Sequence, residues 1–221
     1  MRIAVVGTGT GIGKTHATLV LLQALVARGD RALGLKPIES GFDELAPGAS
    51  DGEQLARASS APTLGAPPVR LGAPLTPWLA AEREGVELDL AACVRWVHAQ
   101  SADFVLVETA GGLLSPLSER ATNLELVREL APDALLLVAP DRLGVLHEVA
   151  ACRLALERAA DLPRARVVLQ LPERGDASTG TNARLLERLG HGPVLGTLPR
   201  GAPDEPAVQR AASTIIDALG A

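Results

Sequence analysis

The sequence predicts an α/β fold of the doubly wound kind, with a mainly parallel sheet covered by helices on both faces. Short apolar runs recur along the chain without polar alternation, as expected of strands that are buried on both sides. Helical patterns separate these runs and the connections are short, which favours parallel strands with crossover helices. The chain has 221 residues, of which 47% are hydrophobic and 21% are charged, the balance of one globular domain. We therefore expect a single domain over residues 1–221.

Strands and helices alternate along most of the chain. Strands are expected at residues 3–6, 32–36, 104–108, 135–139, 167–171 and 194–198. Helices are expected at residues 15–28, 90–100, 123–130, 145–160, 182–189 and 206–219. One long interruption, residues 37–88, is rich in Gly and Pro. We predict that it forms a substrate-side loop or helical insertion, because long loops at strand ends tend to carry the binding site.

The composition excludes several classes of protein. Aromatic residues make up 2% of the chain, Tyr is absent and the net charge is −5, so no nucleic-acid partner is expected. The longest apolar run, residues 134–139, is far shorter than the ~20 residues that cross a bilayer, so no membrane segment is expected. Cys93 and Cys152 lie far apart and have no metal-binding spacing, which favours a reducing compartment and predicts a cytoplasmic protein.

A glycine-rich loop follows the first predicted strand. The segment Gly7-Thr8-Gly9-Thr10-Gly11-Ile12-Gly13-Lys14-Thr15 leads directly into a predicted helix. Glycines allow backbone N–H groups to turn towards a phosphate, and the helix N-terminus adds a partial positive charge. Lys14 can then reach the β- and γ-phosphates, and the Thr15 hydroxyl can ligate Mg²⁺. Strand, loop and helix together predict a Rossmann-like P-loop NTPase, although Thr8 occupies the first glycine position of the strict motif.

Two further polar residues end predicted strands at the same edge of the sheet. Glu108 closes the strand 104–108 and can supply the second metal carboxylate that a P-loop enzyme needs. Lys36 closes the strand 32–36 and is, with Lys14, one of only two Lys among 21 basic residues. An Arg guanidinium cannot replace a compact ammonium, so this bias indicates that both lysines are functional. We expect both to face the crevice at the carboxyl ends of the strands.

Further segments complete a pattern that resembles the dethiobiotin synthetase family. Besides the glycine-rich loop they are Lys36-Pro37-Ile38-Glu39-Ser40-Gly41, Ser50-Asp51, Val107-Glu108-Thr109-Ala110-Gly111-Gly112, Ser115-Pro116-Leu117-Ser118 and Leu143-Gly144. They occur in order and at matching intervals over residues 1–150, and Gly196-Thr197-Leu198-Pro199 continues the likeness more faintly.

The resemblance implies an ATP-dependent cyclo-ligase. Family members bind 7,8-diaminononanoate, CO₂ or bicarbonate, and ATP, and they form dethiobiotin with release of ADP and phosphate. The route passes through a carbamate and a carbamic–phosphoric anhydride. Lys36, Lys14 and Thr10 are the implied catalytic residues, and Mg²⁺ is implied at Thr15, Asp51 and Glu108.

The resemblance also implies two sets of binding residues. The nucleotide set comprises Gly11, Ile12, Gly13, Lys14, Thr15, His16, Asp51, Glu108, Thr109, Ala110, Gly111, Gln170, Pro199, Arg200 and Gly201. The substrate set comprises Ser40 and the helix start formed by Gly144, Val145, Leu146 and His147. In the family that helix start faces the substrate carboxylate across a homodimer interface.

The sequence departs from the family at several of these positions. Gly11 stands where an acidic residue is often found, Glu39 where small residues are common, and His147 and Gln170 where many members have Asn. The side chain of His16 is expected to be a bystander, with its backbone N–H facing phosphate. The preferred base therefore stays open.

Two other functions also stay open. One is a paralogous ligase that acts on another diamine or carboxylate. The other is a non-enzymatic ATPase switch of the partitioning type, but that class carries a signature lysine where this chain has Gly9.

Overall fold

A computed structural model of the chain describes residues 1–42, 46–159 and 161–220. The strands are β1 Arg2–Gly7, β2 Ala32–Leu35, β3 Ile38–Ser40, β4 Val69–Leu71, β5 Phe104–Glu108, β6 Ala134–Pro140, β7 Arg166–Gln170 and β8 Val194–Leu198. The helices are α1 Lys14–Ala27, α2 Asp51–Ala58, α3 Pro77–Glu84, α4 Leu90–His98, α5 Asn123–Leu130, α6 Val145–Glu157, α7 Asn182–Arg188 and α8 Pro206–Leu219.

Six strands form one parallel sheet in the order β2-β5-β1-β6-β7-β8. Successive residues of the central strand β1 point to opposite faces of this sheet. Ile3 and Val5 pack in a core with residues of α1 and α8, whereas Ala4 and Val6 pack in a second core with residues of α5 and α6. Burial on both faces explains why the strands read as continuous apolar runs. The predicted doubly wound α/β fold is confirmed.

The predicted elements occur where the sequence placed them, with ends that differ by a few residues. The strand expected at 32–36 ends at Leu35, so Lys36 is the first residue beyond β2. The helix expected at 145–160 ends at Glu157, and Ala160 lies outside the described residues. Such shifts are typical of helix and strand ends.

The insertion at 37–88 contains more regular structure than the sequence indicated. Its described part holds α2, α3 and a small parallel sheet in which β3 pairs with β4; residues 43–45 lie outside that part. Each of these two strands has only three residues, so no hydrophobic periodicity could reveal them. The insertion therefore packs against the edge of the main sheet as a folded unit, with β3 and α2 next to the end of β2.

No helix in the described ranges combines the length and the apolar character that crossing a bilayer requires.

The carboxyl ends of all six parallel strands meet at one edge of the main sheet. In open α/β sheets, ligands bind in the crevice outside this edge. The fold therefore brings the loops after β1, β2, β5, β6 and β7 together.

Candidate nucleotide and substrate site

The glycine-rich loop joins β1 to α1 and wraps the start of that helix. Gly11 and Gly13 adopt left-handed backbone conformations, with φ of 70° and 97°. A Cβ atom on Gly13 would lie 2.6 Å from Cγ of Gln170, so both the backbone angle and the close packing require glycine there. The loop thereby presents the N-terminal end of α1 to the crevice, an arrangement that binds phosphate.

Lys14 reaches back over this loop. Its ammonium donates a hydrogen bond to the carbonyl oxygen of Gly9 at 3.0 Å, and the side chain is buried. Burial lowers the pKa of Lys14 to about 8, although the nearby carboxylate of Glu108 opposes this shift. The ammonium of Lys36 lowers the pKa further. Because burial destabilises the charged form of Lys14, an anionic ligand bound next to it would stabilise the ammonium.

Glu108 is the centre of a buried polar cluster. Its carboxylate is 0% exposed, and its Oε1 accepts hydrogen bonds from the Thr15 hydroxyl and the Lys36 ammonium, both at 2.8 Å. Its Oε2 accepts a hydrogen bond from the Thr18 hydroxyl at 3.0 Å. Lys36 also donates to the carboxylate of Asp51. Burial alone would lower the pKa of Lys36, but the two carboxylates outweigh it and raise that pKa above its ordinary value.

Asp51 enters this cluster because α2 begins there. Ser50 caps the helix: its side chain accepts from the backbone N–H of Glu53, and the Glu53 carboxylate accepts from the N–H of Ser50. This capping box fixes the first turn of α2 against the end of β2. The spacing Ser-x-x-Glu is visible in the sequence, yet the helix was not predicted. Glu39 adds a contact, because its Oε1 accepts a hydrogen bond from the Asp51 N–H at 2.6 Å.

These groups surround one cavity of about 370 Å³. Its lining residues are Thr10, Gly11, Gly13, Lys14, Thr15, Lys36, Glu39, Ser40, Asp51, Glu108, Ala110 and Gly111. The expectation that both lysines face one crevice is confirmed. Two expected nucleotide residues point elsewhere: Ile12 packs its side chain in the core, and Thr109 is buried with its hydroxyl 3.4 Å from the Val5 carbonyl oxygen. Neither residue lines the cavity of the two lysines, although Ile12 lines an adjoining one.

Oxygen atoms that suit a divalent cation converge at one end of this cavity. They are the hydroxyl of Thr15 and the carboxylates of Asp51 and Glu108, which meet around the Lys36 ammonium. Mg²⁺ prefers such hard oxygen ligands and is usually held by one or two carboxylates together with substrate phosphates. The donor set therefore fits a P-loop magnesium site, in which the ion would share these two carboxylates with the Lys36 ammonium.

A second set of expected nucleotide residues forms a network on the other side of α1. The His16 ring lies 2.8 Å from Oε1 of Gln170 through Nδ1 and 3.0 Å from the Gly201 carbonyl oxygen through Nε2. The Nε2 group of Gln170 donates to the Leu198 carbonyl oxygen at 3.2 Å. The expectation of a bystander His16 side chain was wrong, because the ring joins the start of α1 to β7 and to the loop after β8.

This network changes how Gln170 is understood. Gln170 is 1% exposed, and both ends of its amide are already hydrogen bonded within the protein. It lines a neighbouring cavity of about 200 Å³ together with Arg142 and Arg200. Arg200 donates through Nε to the Leu171 carbonyl oxygen at 3.1 Å. Gln170 therefore has its carbonyl oxygen and one of its two N–H groups engaged within the described residues, which leaves one N–H group unused.

The first turn of α6 is a separate part of the candidate site. Gly144 precedes it with φ of 96°, and the amide of Val145 already donates to the Arg142 carbonyl oxygen at 3.2 Å. The amides of Leu146 and His147 donate to no atom of the described residues, and His147 is exposed. Of the four expected substrate residues here, only Val145 has its N–H group engaged within the described residues, so Gly144, Leu146 and His147 offer unused N–H groups.

One ionic contact ties this helix to the glycine-rich loop. The Glu148 carboxylate accepts a hydrogen bond from the Thr8 hydroxyl at 2.9 Å and pairs with Arg142 at 2.8 Å. The start of α6 is thereby held beside the nucleotide loop, although residues 144–147 do not line the cavity that contains Lys14 and Lys36.

The fold and the loop define the class of protein. A parallel sheet whose first strand leads through a glycine-rich turn into a helix, with Lys14 and Thr15 at its start and Glu108 on the neighbouring strand, is a P-loop nucleotide-binding enzyme. A family model described as an AAA domain matches residues 1–206.

Curated relatives identify the family. The ATP-dependent dethiobiotin synthetase of Anaeromyxobacter dehalogenans is 40% identical over 223 residues, covering 98% of this chain and 96% of the relative. The enzyme of the same name from Nitrosospira multiformis is 38% identical over 201 residues, covering 88% of this chain and 86% of the relative. The chain belongs to the dethiobiotin synthetase family, a family of ATP-dependent ligases.

Solved structures support the fold. The MinC–MinD cell division complex of Aquifex aeolicus matches with a TM-score of 0.61 and 15% identity over 100% of this chain and 96% of that one. The septum site-determining protein MinD of Pyrococcus horikoshii, complexed with Mg-ADP, matches with a TM-score of 0.59 and 15% identity over 99% and 94%. At this identity the likeness shows a shared P-loop architecture alone.

Proposed function

We propose that the chain is an ATP-dependent dethiobiotin synthetase that converts 7,8-diaminononanoate, CO₂ and ATP into dethiobiotin, ADP and phosphate. The observation that carries this proposal is the meeting of Lys14 and Lys36 with Thr15, Asp51 and Glu108 around one cavity. Family membership supplies the substrate. The cavity supplies positive charge where a phosphoryl group would be transferred.

The proposed reaction has three steps. A neutral amine of the diamine adds to CO₂ and loses a proton, which gives a carbamate. A carbamate oxygen then attacks the γ-phosphorus of ATP, and ADP leaves. The second amine attacks the carbonyl carbon of the resulting mixed anhydride, loses a proton and expels phosphate, which closes the cyclic urea.

Charge stabilisation is the main task of the protein in this route. The phosphoryl group in transfer spreads negative charge over its oxygens, and the carbamate and the anhydride are anionic. Lys14 lies over the phosphate loop, and Lys36 lines the same cavity. Preorganised cations in a buried site stabilise such charge strongly. No covalent nucleophile is required by this chemistry.

We place Mg²⁺ at Thr15, Asp51 and Glu108, where it would neutralise charge on the β- and γ-phosphates. The hydrogen bond from Thr15 to Glu108 already brings two of these ligands together. Lys36, which contacts Asp51 and Glu108, is then positioned to point its ammonium at the carbamate and the γ-phosphate. Thr10 and Ser40 line the same cavity and are proposed to contact phosphate and diamine respectively.

The substrate carboxylate is proposed to bind at α6 of a second subunit in a homodimer. The free amides of Leu146 and His147 form an anion-binding helix start, and Gly144 gives that turn its shape.

A cytoplasmic location is proposed from the cysteines. Cys93 and Cys152 are both free and buried, which suits a compartment that keeps thiols reduced.

The direct test is incubation of the purified chain with 7,8-diaminononanoate, bicarbonate and Mg-ATP, with dethiobiotin measured by mass. Formation of dethiobiotin with one ADP per product supports the proposal. Lys14→Met, which removes a loop cation, serves as the inactive control. ATP hydrolysis that does not depend on any diamine would instead favour the switch class. Ring closure of a different diamine would favour the paralogous ligase.

A further inference from the structure

Glu39 is a buried carboxylate at the wall of the cavity. The proposed reaction gives this residue no role. It lies in β3, between Lys36 and Ser40, and is 4% exposed. Glu39 lines the same cavity as both lysines, and it also lines an adjoining cavity together with Gly52 and Arg70. A buried carboxylate is costly unless a cation or several hydrogen bonds compensate its charge. The partners of Glu39 within the protein therefore indicate whether its charge is free to bind a ligand.

The protein itself supplies little compensation. Oε1 of Glu39 accepts one hydrogen bond, from the backbone N–H of Asp51 at 2.6 Å. Oε2 takes no hydrogen bond from the described residues, and Glu39 forms no ion pair within them. The N-terminus of α2 adds only a partial positive charge.

Both nearby cations are engaged elsewhere. Lys36 pairs with Asp51 and Glu108. Arg70, which lies opposite Glu39 in the β3–β4 pairing, pairs with Glu53 at 3.6 Å and lies over the ring of Phe42 at 3.8 Å. Neither nearby cation therefore neutralises the Glu39 carboxylate, and a cationic ligand could do so.

Gly52 keeps space open beside the free oxygen. A Cβ atom at residue 52 would lie 3.2 Å from Oε2 of Glu39 and 3.9 Å from Cβ of Lys36. Glycine in the first turn of α2 lowers the stability of that helix, and its lack of a side chain is what admits the Glu39 carboxylate so close to the turn. The absence of a side chain at Gly52 thus lets the Glu39 carboxylate lie at this position, with Oε2 available to a ligand.

We propose that Glu39 binds an ammonium group of the diamine substrate through its Oε2 atom. This inference rests on the proposed function, in which one amine becomes a carbamate; the other amine would be bound as an ammonium and would lose one proton to solvent before it attacks as the neutral amine. Thr15, Asp51 and Glu108 are the proposed ligands of Mg²⁺. The substrate ammonium therefore needs a different anionic partner in the cavity, which Glu39 would supply. A charge-assisted hydrogen bond at Glu39 orients the second amine towards the carbamate carbon.

The test compares Glu39→Gln with Glu82→Gln, a matched change at an exposed position of the same insertion. Gln at residue 39 keeps an acceptor for the Asp51 N–H but removes the charge. We expect KM for the diamine to rise roughly 10- to 100-fold, with KM for ATP and the Mg²⁺ requirement unchanged. Glu82→Gln removes a charge at an exposed position of α3 and should leave all three unchanged. Glu39→Asp, which keeps the charge, should bind the diamine more tightly than Glu39→Gln.

Analogues with a single amine separate this role from helix capping. We expect 7-aminononanoate or 8-aminononanoate, whichever lacks the contacted amine, to bind wild type and Glu39→Gln equally in calorimetry, whereas the diamine binds the variant more weakly. An unchanged diamine affinity in a folded Glu39→Gln protein would overturn the inference and leave Glu39 as a cap of α2. A change confined to the Mg²⁺ requirement would also overturn it.

The same experiments distinguish the two proposals. If wild type makes no dethiobiotin, the proposed function fails, whatever the variants do. If wild type makes dethiobiotin and the variant keeps its diamine affinity, only the role of Glu39 fails.

Discussion

The ammonium of Lys36 lies 2.8 Å from Oε1 of Glu108, the same oxygen that accepts the Thr15 hydroxyl. Lys36 thus lies between the carboxylates that are proposed to hold Mg²⁺. A cation that contacts the buried Glu108 carboxylate and the partly exposed Asp51 carboxylate offsets their mutual repulsion before any ligand binds. This arrangement explains why the chain keeps Lys at residue 36 although almost all its other basic residues are Arg.

The first prediction concerns the shape of that cation. Lys36→Arg keeps the charge but replaces a compact ammonium by a planar fork in a crowded site. We expect kcat to fall ~10²–10³-fold, with a thermal midpoint close to that of wild type. The exposed Arg31→Lys exchange is the control and should change neither quantity. More than half of wild-type activity in Lys36→Arg would remove Lys36 from the site.

The second prediction concerns the metal ligands. Asp51→Asn and Glu108→Gln each remove one negative oxygen from the cluster around Lys36. Both variants should need more Mg²⁺ for half-maximal activity, because neutral amides bind the ion less well. Glu82→Gln, at an exposed position of α3, should leave the Mg²⁺ titration unchanged. An unchanged titration in either ligand variant would exclude that residue from the metal site.

The third prediction separates backbone from side chain at α6. His147→Pro removes an N–H group that has no acceptor within the described chain, in a first turn that tolerates proline. His147→Ala removes only the ring. If the amides bind the substrate carboxylate, the proline variant alone should bind the diamine more weakly, and both should bind nucleotide normally. Equilibrium dialysis of both ligands measures this. Equal loss in the two variants would assign the effect to the imidazole.

The main sheet could be predicted because its strands are long and buried on both faces. Runs such as Ala134–Pro140 and Phe104–Glu108 carry their own signal. The short strands β3 and β4 carry none, since their pairing is fixed only by contacts between distant parts of the chain. Helix α2 was detectable from its capping box, Ser50 and Glu53, but the Gly- and Pro-rich context concealed it.

The site could be predicted where chemistry is tied to local sequence. Lys14, Thr15 and Glu108 lie at the ends of clear elements, and the structure brings them together as expected. The role of the His16 side chain could not be predicted, because its partners Gln170 and Gly201 are more than 150 residues away in the chain. Nothing in the local sequence indicates such a contact.

The fourth prediction concerns the two thiols. Burial raises the pKa of Cys93 to about 12, and burial together with Glu148 raises that of Cys152 to about 11. Since the thiolate is the reactive form, the native protein should react very slowly with a disulfide reagent at pH 8. The rate should increase as the pH rises. After unfolding in guanidinium, both thiols should react at once. Rapid reaction of one thiol in the native protein would show that its pocket opens.

The last prediction is that the enzyme discriminates poorly among nucleoside triphosphates. The loop, Lys14 and the metal ligands all act on phosphates, which every nucleotide shares. Gln170, the residue best placed to contact a base, has its acceptor next to His16 and its donor on the Leu198 carbonyl oxygen. The exposed Arg200 side chain offers only donors, and Pro172 has no N–H group.

Strong selectivity requires buried hydrogen-bonding groups that a wrong base leaves unpaired, which gives roughly 10⁴–10⁵-fold, whereas shape alone gives roughly 10–200-fold. Because the contacts with His16 and Leu198 hold the amide of Gln170 in place and leave it a single unused N–H group, we expect shape to supply most of the discrimination. We therefore expect kcat/KM for CTP, GTP and UTP to lie within about a hundredfold of that for ATP, at saturating diamine and Mg²⁺. A preference for ATP above about 10⁴-fold would mean that the His16–Gln170 contact opens when nucleotide binds and frees the amide to contact adenine.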